Sequence, residues 1–128
     1  MPKTVEHILG LVAHNFYRGQ RVHRVEASLV QFGDPNSRNM SLQNAWGSGG
    51  SGSPIGVAEI TPKMKHVRGS VGLGYSDSPK FGDSQLYIMK RASPSLDGKY
   101  CVLGQVTKGM DVVDKLEVTD PIRNVTLK

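Results

Sequence analysis

Apolar and polar positions follow two different periods along this chain. The first apolar residues recur at intervals of three and four, which is helical spacing: Val5, Ile8, Leu9, Leu11 and Val12. Thr4 precedes this run and is a favourable N-cap residue, so the pattern predicts a helix from Thr4 to about Asn15. Residues 16–19 are typical of a turn.

Most of the remaining apolar residues lie in short β-prone runs separated by Gly, Pro and Asp. These runs predict strands at 20–25, 29–32, 55–60, 70–75, 84–90 and 99–106. Near the end of the sequence, residues 109–118 predict a second helix and residues 124–127 a last strand. Short strands with turns between them, together with two helices, favour a mainly β fold with a closed or nearly closed antiparallel barrel.

One long segment, residues 36–54, lacks either period and is rich in Ser, Gly and Asn. Within it, Gly47, Gly49 and Gly52 match a dinucleotide-binding fingerprint. That fingerprint needs a strand before it and a helix after it, whereas Pro54 and a strand-like run follow here. We interpret the segment as a long flexible loop inside a single domain that covers residues 1–128.

Composition and charge exclude several kinds of protein. The 128 residues, 38% of them hydrophobic, suit one ordinary domain. The net charge of +5 comes from scattered Lys and Arg, so no nucleic-acid partner is expected.

Cys101 is the single cysteine and is predicted to be a buried structural thiol. The four histidines lack ligand spacing, which predicts no metal site and no cofactor. Without a membrane-length apolar run or a signal peptide, we expect a cytoplasmic chain.

Arg24 is the most informative candidate for chemistry. It lies in a β-branched run and is followed closely by Leu29, Val30 and Gln31. This set holds no nucleophile, acid or obvious base. Any chemistry there therefore depends on hydrogen-bond donation beside a dry apolar wall rather than on proton transfer.

Several motifs occur in one particular order along the chain: Val22-His23-Arg24-Val25, Gln31-Phe32-Gly33-Asp34-Pro35, Gly82-Asp83-Ser84-Gln85-Leu86-Tyr87-Ile88 and Leu96-Asp97-Gly98-Lys99-Tyr100. This series resembles the cyclophilin family of peptidyl-prolyl cis-trans isomerases in a bacterial style. The resemblance implies an antiparallel barrel capped by two helices, with substrate in a groove outside it. It also implies that the family's first two strands are missing from this chain.

The resemblance implies a role for each candidate site residue. Arg24 would be the catalytic residue, donating a hydrogen bond to the prolyl nitrogen, and Gln31 would hold the substrate or the arginine. Leu29, Val30, Tyr87 and Leu96 would form the wall of the proline pocket. Gln85 and the backbone at Gly74 and Tyr75 would hold the preceding substrate residues, with Tyr100 at the rim. The alternatives are a solvated Arg24, a structural Gln85, and ordinary core positions for the four wall residues.

The implied function is the acceleration of rotation about Xaa-Pro bonds in peptides and unfolded protein segments, which assists protein folding. No membrane partner is expected. The alternative is a catalytically weak or inactive module that binds proline segments or acts as a chaperone. It is motivated by the missing strands and by the 29–32 region, where the spacer before Gln31 is shortened and Leu29 and Phe32 depart from the family.

Cyclosporin is expected to bind weakly at most. Ser95 stands where cyclosporin-sensitive members carry Trp, and Tyr100 replaces a common His. The missing indole N–H removes a hydrogen-bond donor to the drug. A peptide isomerisation assay should therefore show little inhibition by cyclosporin, and submicromolar inhibition would contradict this expectation.

Overall fold

The computed structural model describes residues 2–127. Its first element is helix α1, Pro2–Ala13, which buries Ile8 and Val12. The helix begins two residues before the predicted N-cap, so Thr4 lies in its first turn. Glu59 supplies the cap from outside, because its carboxylate accepts hydrogen bonds from Thr4 N at 2.6 Å, Thr4 Oγ1 at 2.7 Å and Lys3 N at 3.2 Å. A carboxylate at this end accepts hydrogen bonds from the free N–H groups of the first turn, and its negative charge interacts favourably with the positive end of the helix dipole.

Within the described residues, five strands form one antiparallel sheet: β1 Arg24–Val25, β2 Leu29–Phe32, β3 Ser70–Leu73, β4 Leu86–Met89 and β5 Val102–Gln105. Their order across the sheet is β1-β2-β4-β3-β5. A short helix α2, Met110–Val113, follows β5. The predicted mainly β, antiparallel fold is confirmed.

Several predicted elements are shorter or irregular. Residues 20–25 form only the two-residue β1, because Val22 N and O bond to the backbone of Asp120 and Thr119, both at 2.9 Å. Residues 55–60 form no strand; Gly56 has φ +85° there. Residues 124–127 are also irregular. Helix α2 does not reach residue 118, because the chain continues as turns in which Leu116 N bonds to Val113 O.

The long segment after β2 is more regular than predicted. It contains two 3₁₀ helices, Pro35–Arg38 and Met40–Ala45. Asp34 caps the first through a 2.8 Å hydrogen bond from Asn36 N, and Asn39 caps the second through one from Ser41 N at 2.9 Å. Two further 3₁₀ turns, Pro79–Phe81 and Pro94–Leu96, flank β4. Each begins at a proline, whose fixed φ and missing N–H suit the first position of a helical turn.

The buried apolar side chains of residues 2–127 form three clusters. The largest lies between α1 and the sheet and contains Ile8, Val12, Tyr17, Leu73, Leu86 and Cys101. Cys101 is a free thiol that is 5% exposed, as expected for a structural cysteine. A second cluster joins Val22, Val30 and Val113. The third, with Leu29, Tyr87 and Met89, marks the face of the sheet that carries the candidate site. Among residues 2–127, no helix has the length and apolar character needed to cross a bilayer.

Gly72 in β3 is required by the ring beside it. It pairs with Tyr87 across the sheet, and a Cβ at this position would overlap the ring and hydroxyl of Tyr87. Tyr87 is 3% exposed, so its ring has little room to move. We predict that Gly72→Ala lowers the free energy of unfolding by about 1–3 kcal/mol, which a urea titration would measure.

Gly104→Ala in the neighbouring strand β5 is the matched control, because no atom lies within 4 Å of a Cβ built there. Its free energy of unfolding should stay close to that of the wild type. Equal stability for the two variants would contradict this account of Gly72.

Candidate functional site

The register of the sheet places the side chain of Gln31 between that of Arg24 and the ring of Tyr87. Arg24 pairs with Gln31, Gln31 pairs with Tyr87, and Tyr87 pairs with Gly72. Residues directly opposite one another in antiparallel strands point to the same face. Arg24, Gln31 and Tyr87 therefore form a row across β1, β2 and β4 on one face of the sheet.

This row opens into a cavity of about 440 Å³. The structure brings together nine of the predicted site residues in its lining: Arg24, Leu29, Gln31, Gly74, Tyr75, Gln85, Tyr87, Leu96 and Tyr100. Val30 is the exception and corrects the prediction. It is 0% exposed and packs with Val22 and Val113, because neighbouring residues of a strand point to opposite faces.

The guanidinium of Arg24 is held on one side by two partners. Its Nη1 donates to Gln31 Oε1 at 3.0 Å, and its Nη2 contacts both carboxylate oxygens of Glu26 at 2.8 Å. Within residues 2–127, its Nε has no hydrogen-bond partner. The side chain is 50% exposed, which leaves donor capacity at the cavity. No role was assigned to Glu26 from the sequence. Its position two residues after Arg24 was the one feature of the sequence that could have indicated this contact.

The amide side chains continue this hydrogen bonding in one direction. Gln31 Nε2 donates to Gln85 Oε1 at 2.9 Å. Gln85 Nε2 then donates to the backbone oxygens of Gly47 at 2.8 Å and Gly49 at 2.9 Å. The arginine is therefore linked through two amides to the glycine-rich segment 47–52. We call this sequence of bonds, from Arg24 through Gln31 and Gln85 to Gly47 and Gly49, the amide relay.

Two carboxylates anchor the glycine-rich segment against the cavity. Asp34 is 0% exposed and accepts from Gly47 N at 2.7 Å and Gly49 N at 3.1 Å. Asp83 accepts from Ser51 N at 2.8 Å and Gly52 N at 3.1 Å. The sequence predicted only a flexible loop, whereas the structure makes this segment a wall of the site.

The composition of this wall follows from the same anchors. A Cβ at Gly49 would run into the Asp34 carboxylate, and one at Gly50 would lie 2.8 Å from Asp83 Oδ2. Glycine is needed there because the two carboxylates approach the backbone closely. Asp34 and Asp83 stood in the motifs that carried the resemblance, and this was the signal that the sequence offered for the wall.

The other end of the cavity is apolar and aromatic. Leu29, Tyr87 and Met89 are buried, and Leu96 and Tyr100 pack against them. The Tyr87 and Tyr100 rings meet edge to face, with centroids 6.0 Å apart. Burial raises the pKa of the Tyr87 phenol well above its ordinary value, so the hydroxyl stays protonated at neutral pH.

His66 is a residue of this end that sequence reasoning missed. The spacing of the histidines in the sequence bears only on metal binding, whereas His66 lies behind Tyr87 and is 1% exposed. Its Nε2 lies 2.7 Å from the Tyr87 hydroxyl, and its Nδ1 lies 3.0 Å from Asp97 Oδ1. His66 is far from both Tyr87 and Asp97 along the chain, so no local sequence pattern indicated these contacts. In the part of the chain that the structure describes, no group of three His, Cys, Asp or Glu residues is placed to hold a metal ion.

The site thus combines a fixed guanidinium with an adjoining apolar pocket. Such a pair can bind an apolar ring at one end and donate a hydrogen bond to an atom beside it.

Comparison with known proteins agrees with this geometry. The family model described as cyclophilin type peptidyl-prolyl cis-trans isomerase/CLD matches residues 1–128. A Brucella abortus protein named "Probable peptidyl-prolyl cis-trans isomerase" is 38% identical over 131 residues, covering 99% of this chain and 66% of that protein. Human "Peptidyl-prolyl cis-trans isomerase-like 3" is 36% identical over 118 residues, covering 91% of this chain and 69% of that protein. The chain therefore spans about two thirds of the length of these relatives.

Solved structures share the fold at lower identity. The crystal structure of a Cryptosporidium parvum cyclophilin-type isomerase, determined in the presence of the dipeptide Ala-Pro, superimposes with a TM-score of 0.79 at 22% identity. It covers 99% of this chain and 85% of that one. A cyclophilin from Hirschia baltica gives a TM-score of 0.69 at 20% identity, covering 96% of this chain and 62% of that one. From the family match over the full sequence and the identity to curated relatives, this chain belongs to the cyclophilin-type peptidyl-prolyl cis-trans isomerase family.

Proposed function

We propose that this chain is a peptidyl-prolyl cis-trans isomerase in which Arg24 donates a hydrogen bond to the nitrogen of the substrate proline. One observation carries the proposal: Arg24 and the apolar group formed by Leu29, Tyr87 and Leu96 line the same cavity. A proline ring held among these apolar side chains would present its nitrogen at the edge of the pocket where the guanidinium lies.

The reaction needs this kind of donor. Resonance gives the peptide bond partial double-bond character and a rotation barrier of about 18–20 kcal/mol. As the bond twists, the prolyl nitrogen loses conjugation and regains a lone pair that can accept a hydrogen bond. A guanidinium that donates to this lone pair stabilises the twisted state more than either planar state, and this difference lowers the barrier.

The required stabilisation is modest for an enzyme. Uncatalysed prolyl isomerisation takes about 10–100 s at 25 °C. A 10⁵-fold acceleration corresponds to about 7 kcal/mol of barrier. Removal of one well-placed donor typically costs an enzyme about 3–4 kcal/mol of transition-state stabilisation, and fixation of the ring and the flanking carbonyls would supply the rest.

The remaining site residues would hold the substrate in register. Gln85 and the backbone of Gly74 and Tyr75 line the same cavity, and residues before the proline would lie against them. Tyr100 would form the rim of the apolar end. The natural ligands would be proline-containing segments of peptides or unfolded proteins, and the role would be to assist folding. The Ala-Pro dipeptide named with the Cryptosporidium parvum structure supports this class of ligand.

A second candidate function is binding of proline segments without turnover. It is favoured by Glu26, which contacts Arg24 Nη2 through both carboxylate oxygens and offers the guanidinium a competing acceptor. Peptide binding with a measurable affinity but no isomerisation by the wild-type chain would support this candidate.

Removal of the guanidinium tests the proposed function. Arg24→Ala should lower kcat/KM for an Ala-Pro peptide by about 10²–10³-fold, because the donor to the twisted nitrogen is lost. Arg24→Lys should restore little of this, because an ammonium lacks the planar set of donors. The melting temperature should change little, because the half-exposed ion pair with Glu26 contributes little to stability.

Arg68→Ala is the matched control. It also removes one exposed arginine, which is paired with Asp114 and lies outside the cavity lining. Its kcat/KM should equal that of the wild type. Full activity in Arg24→Ala would refute the role proposed for this residue.

The amide relay gives a second prediction. Gln31→Leu keeps a similar volume but removes the acceptor of Arg24 Nη1 and the donor to Gln85. We expect kcat/KM to fall by about tenfold, since the guanidinium loses one of its two positioning partners. Gln105→Leu serves as the control, because Gln105 Nε2 donates to Arg68 O outside the cavity lining. Equal kcat/KM values for the two variants would mean that the relay does not position Arg24.

A further inference from the structure

A hydrogen-bonded triad lies behind the apolar end of the cavity. The Tyr87 hydroxyl is 2.7 Å from His66 Nε2, and His66 Nδ1 is 3.0 Å from Asp97 Oδ1. The backbone N of His66 also donates to Asp97 Oδ1 at 2.7 Å. The three residues come from separate segments: strand β4, the loop before β3, and the turn that follows Pro94–Leu96.

The chemistry of the groups fixes the direction of these bonds. The backbone N–H of His66, opposed by burial and aided by the His66 ring, holds the pKa of the Asp97 carboxyl below its usual range. An ionised carboxylate only accepts, so His66 Nδ1 carries the proton that it donates to Asp97. In the neutral imidazole, Nε2 is then bare and accepts from the Tyr87 hydroxyl.

Burial makes each of these bonds costly to lose. His66 is 1% exposed and Tyr87 is 3% exposed. A polar group at such a position cannot turn to water when its partner is removed. The triad therefore restricts the Tyr87 ring more tightly than apolar contacts alone would.

The triad also connects two residues that line the apolar pocket. Tyr87 and Leu96, the residue before Asp97, both line the cavity, and Leu96 packs against the cluster that contains Tyr87. Asp97 N bonds to Pro94 O at 3.1 Å, so the turn that carries Leu96 is itself closed. The imidazole lies between the Tyr87 hydroxyl and the Asp97 carboxylate and sets their separation.

We propose that His66 is a positioning residue that acts through Tyr87 and Asp97 to set the width of the apolar pocket, and thereby its affinity for a proline ring. His66 does not touch the substrate in this arrangement. The inference rests on the proposed function only for the identity of the ligand, a proline-containing peptide. It concerns binding of the proline ring, whereas the role proposed for Arg24 concerns rotation about the Xaa-Pro bond.

Tyr87→Phe is the first test, because it removes one hydroxyl and keeps the ring. We expect the Kd for an Ala-Pro tetrapeptide, measured by NMR titration, to rise by about three- to tenfold. In the isomerisation assay KM should rise with Kd, and kcat should stay within about twofold, since Arg24 keeps its partners.

Tyr17→Phe is the matched control. Tyr17 is 1% exposed, and its hydroxyl donates to Ser84 O at 2.9 Å in the cluster below α1. This variant also loses one buried hydrogen bond of a tyrosine, so its melting temperature should fall similarly, but its peptide Kd should not change. An equal Kd for Tyr87→Phe, Tyr17→Phe and the wild type would overturn the proposal and leave the triad with a structural role only.

Asp97 gives a second, independent pair of variants. Asp97→Asn keeps an oxygen that can accept from His66 Nδ1 and from its backbone N, so the peptide Kd should stay near the wild-type value. Asp97→Ala removes that acceptor and should raise Kd as Tyr87→Phe does. Equal Kd values for Asp97→Ala and Asp97→Asn would count against the proposal.

The nitrogen-15 NMR signals of His66 supply a readout that needs no activity. In the wild type they should show a proton on Nδ1 and a hydrogen-bonded, unprotonated Nε2. The opposite tautomer would overturn the proposal. If the wild type binds the tetrapeptide without isomerising it, the proposed function fails while the Kd comparison still decides the role of His66. Absence of peptide binding by the wild type would overturn both.

Discussion

The cross-strand register of the antiparallel sheet is the constraint on which the site depends. It sets Arg24, Gln31, Tyr87 and Gly72 opposite one another across four strands. A slip of one residue would turn Gln31 into the core and Val30 toward the cavity. The missing side chain of Gly72 leaves the space into which the Tyr87 ring fits. Backbone pairing between the strands thus brings the Arg24 guanidinium close to the apolar pocket. Side-chain contacts then fix the positions of the groups within this arrangement.

Hydrogen bonding then fixes what the register brings together. The amide relay runs from a cation through two amides to backbone carbonyls, and each of its bonds joins one donor to one acceptor. Reversing one amide would set donor against donor on one side and acceptor against acceptor on the other. The guanidinium is therefore oriented in the absence of substrate, and under the proposed function little reorganisation would be needed as the proline nitrogen changes shape.

The sequence predicted which residues line the site better than it predicted the contacts that hold those residues in place. Ordered motifs identified Arg24, Gln31, Gln85 and Tyr87, because each stands in a short recognisable run. The prediction for Val30 was wrong because it put three consecutive residues of β2, Leu29, Val30 and Gln31, in one pocket, whereas successive strand residues point to opposite faces. The glycine-rich wall and His66 were not predicted, because they depend on contacts between distant segments. His66 lies 21 residues from Tyr87 and 31 from Asp97, and no local pattern reports such separations.

The anchoring of the glycine-rich wall has a consequence for how this site can diversify. Asp34, Asp83 and Gln85 hold that wall through its main-chain N–H and C=O groups. Gly49 and Gly50 are fixed by the nearby carboxylates, and Gly52 by its φ of +88°, but Ser48 and Pro54 border the cavity without supplying a side chain to these anchors. Substitution at those two positions can reshape this side of the cavity while Arg24 and the pocket beside it keep their geometry. In the proposed isomerase, such substitutions would change which substrate residues fit beside the wall and leave the proposed donor and proline pocket unchanged.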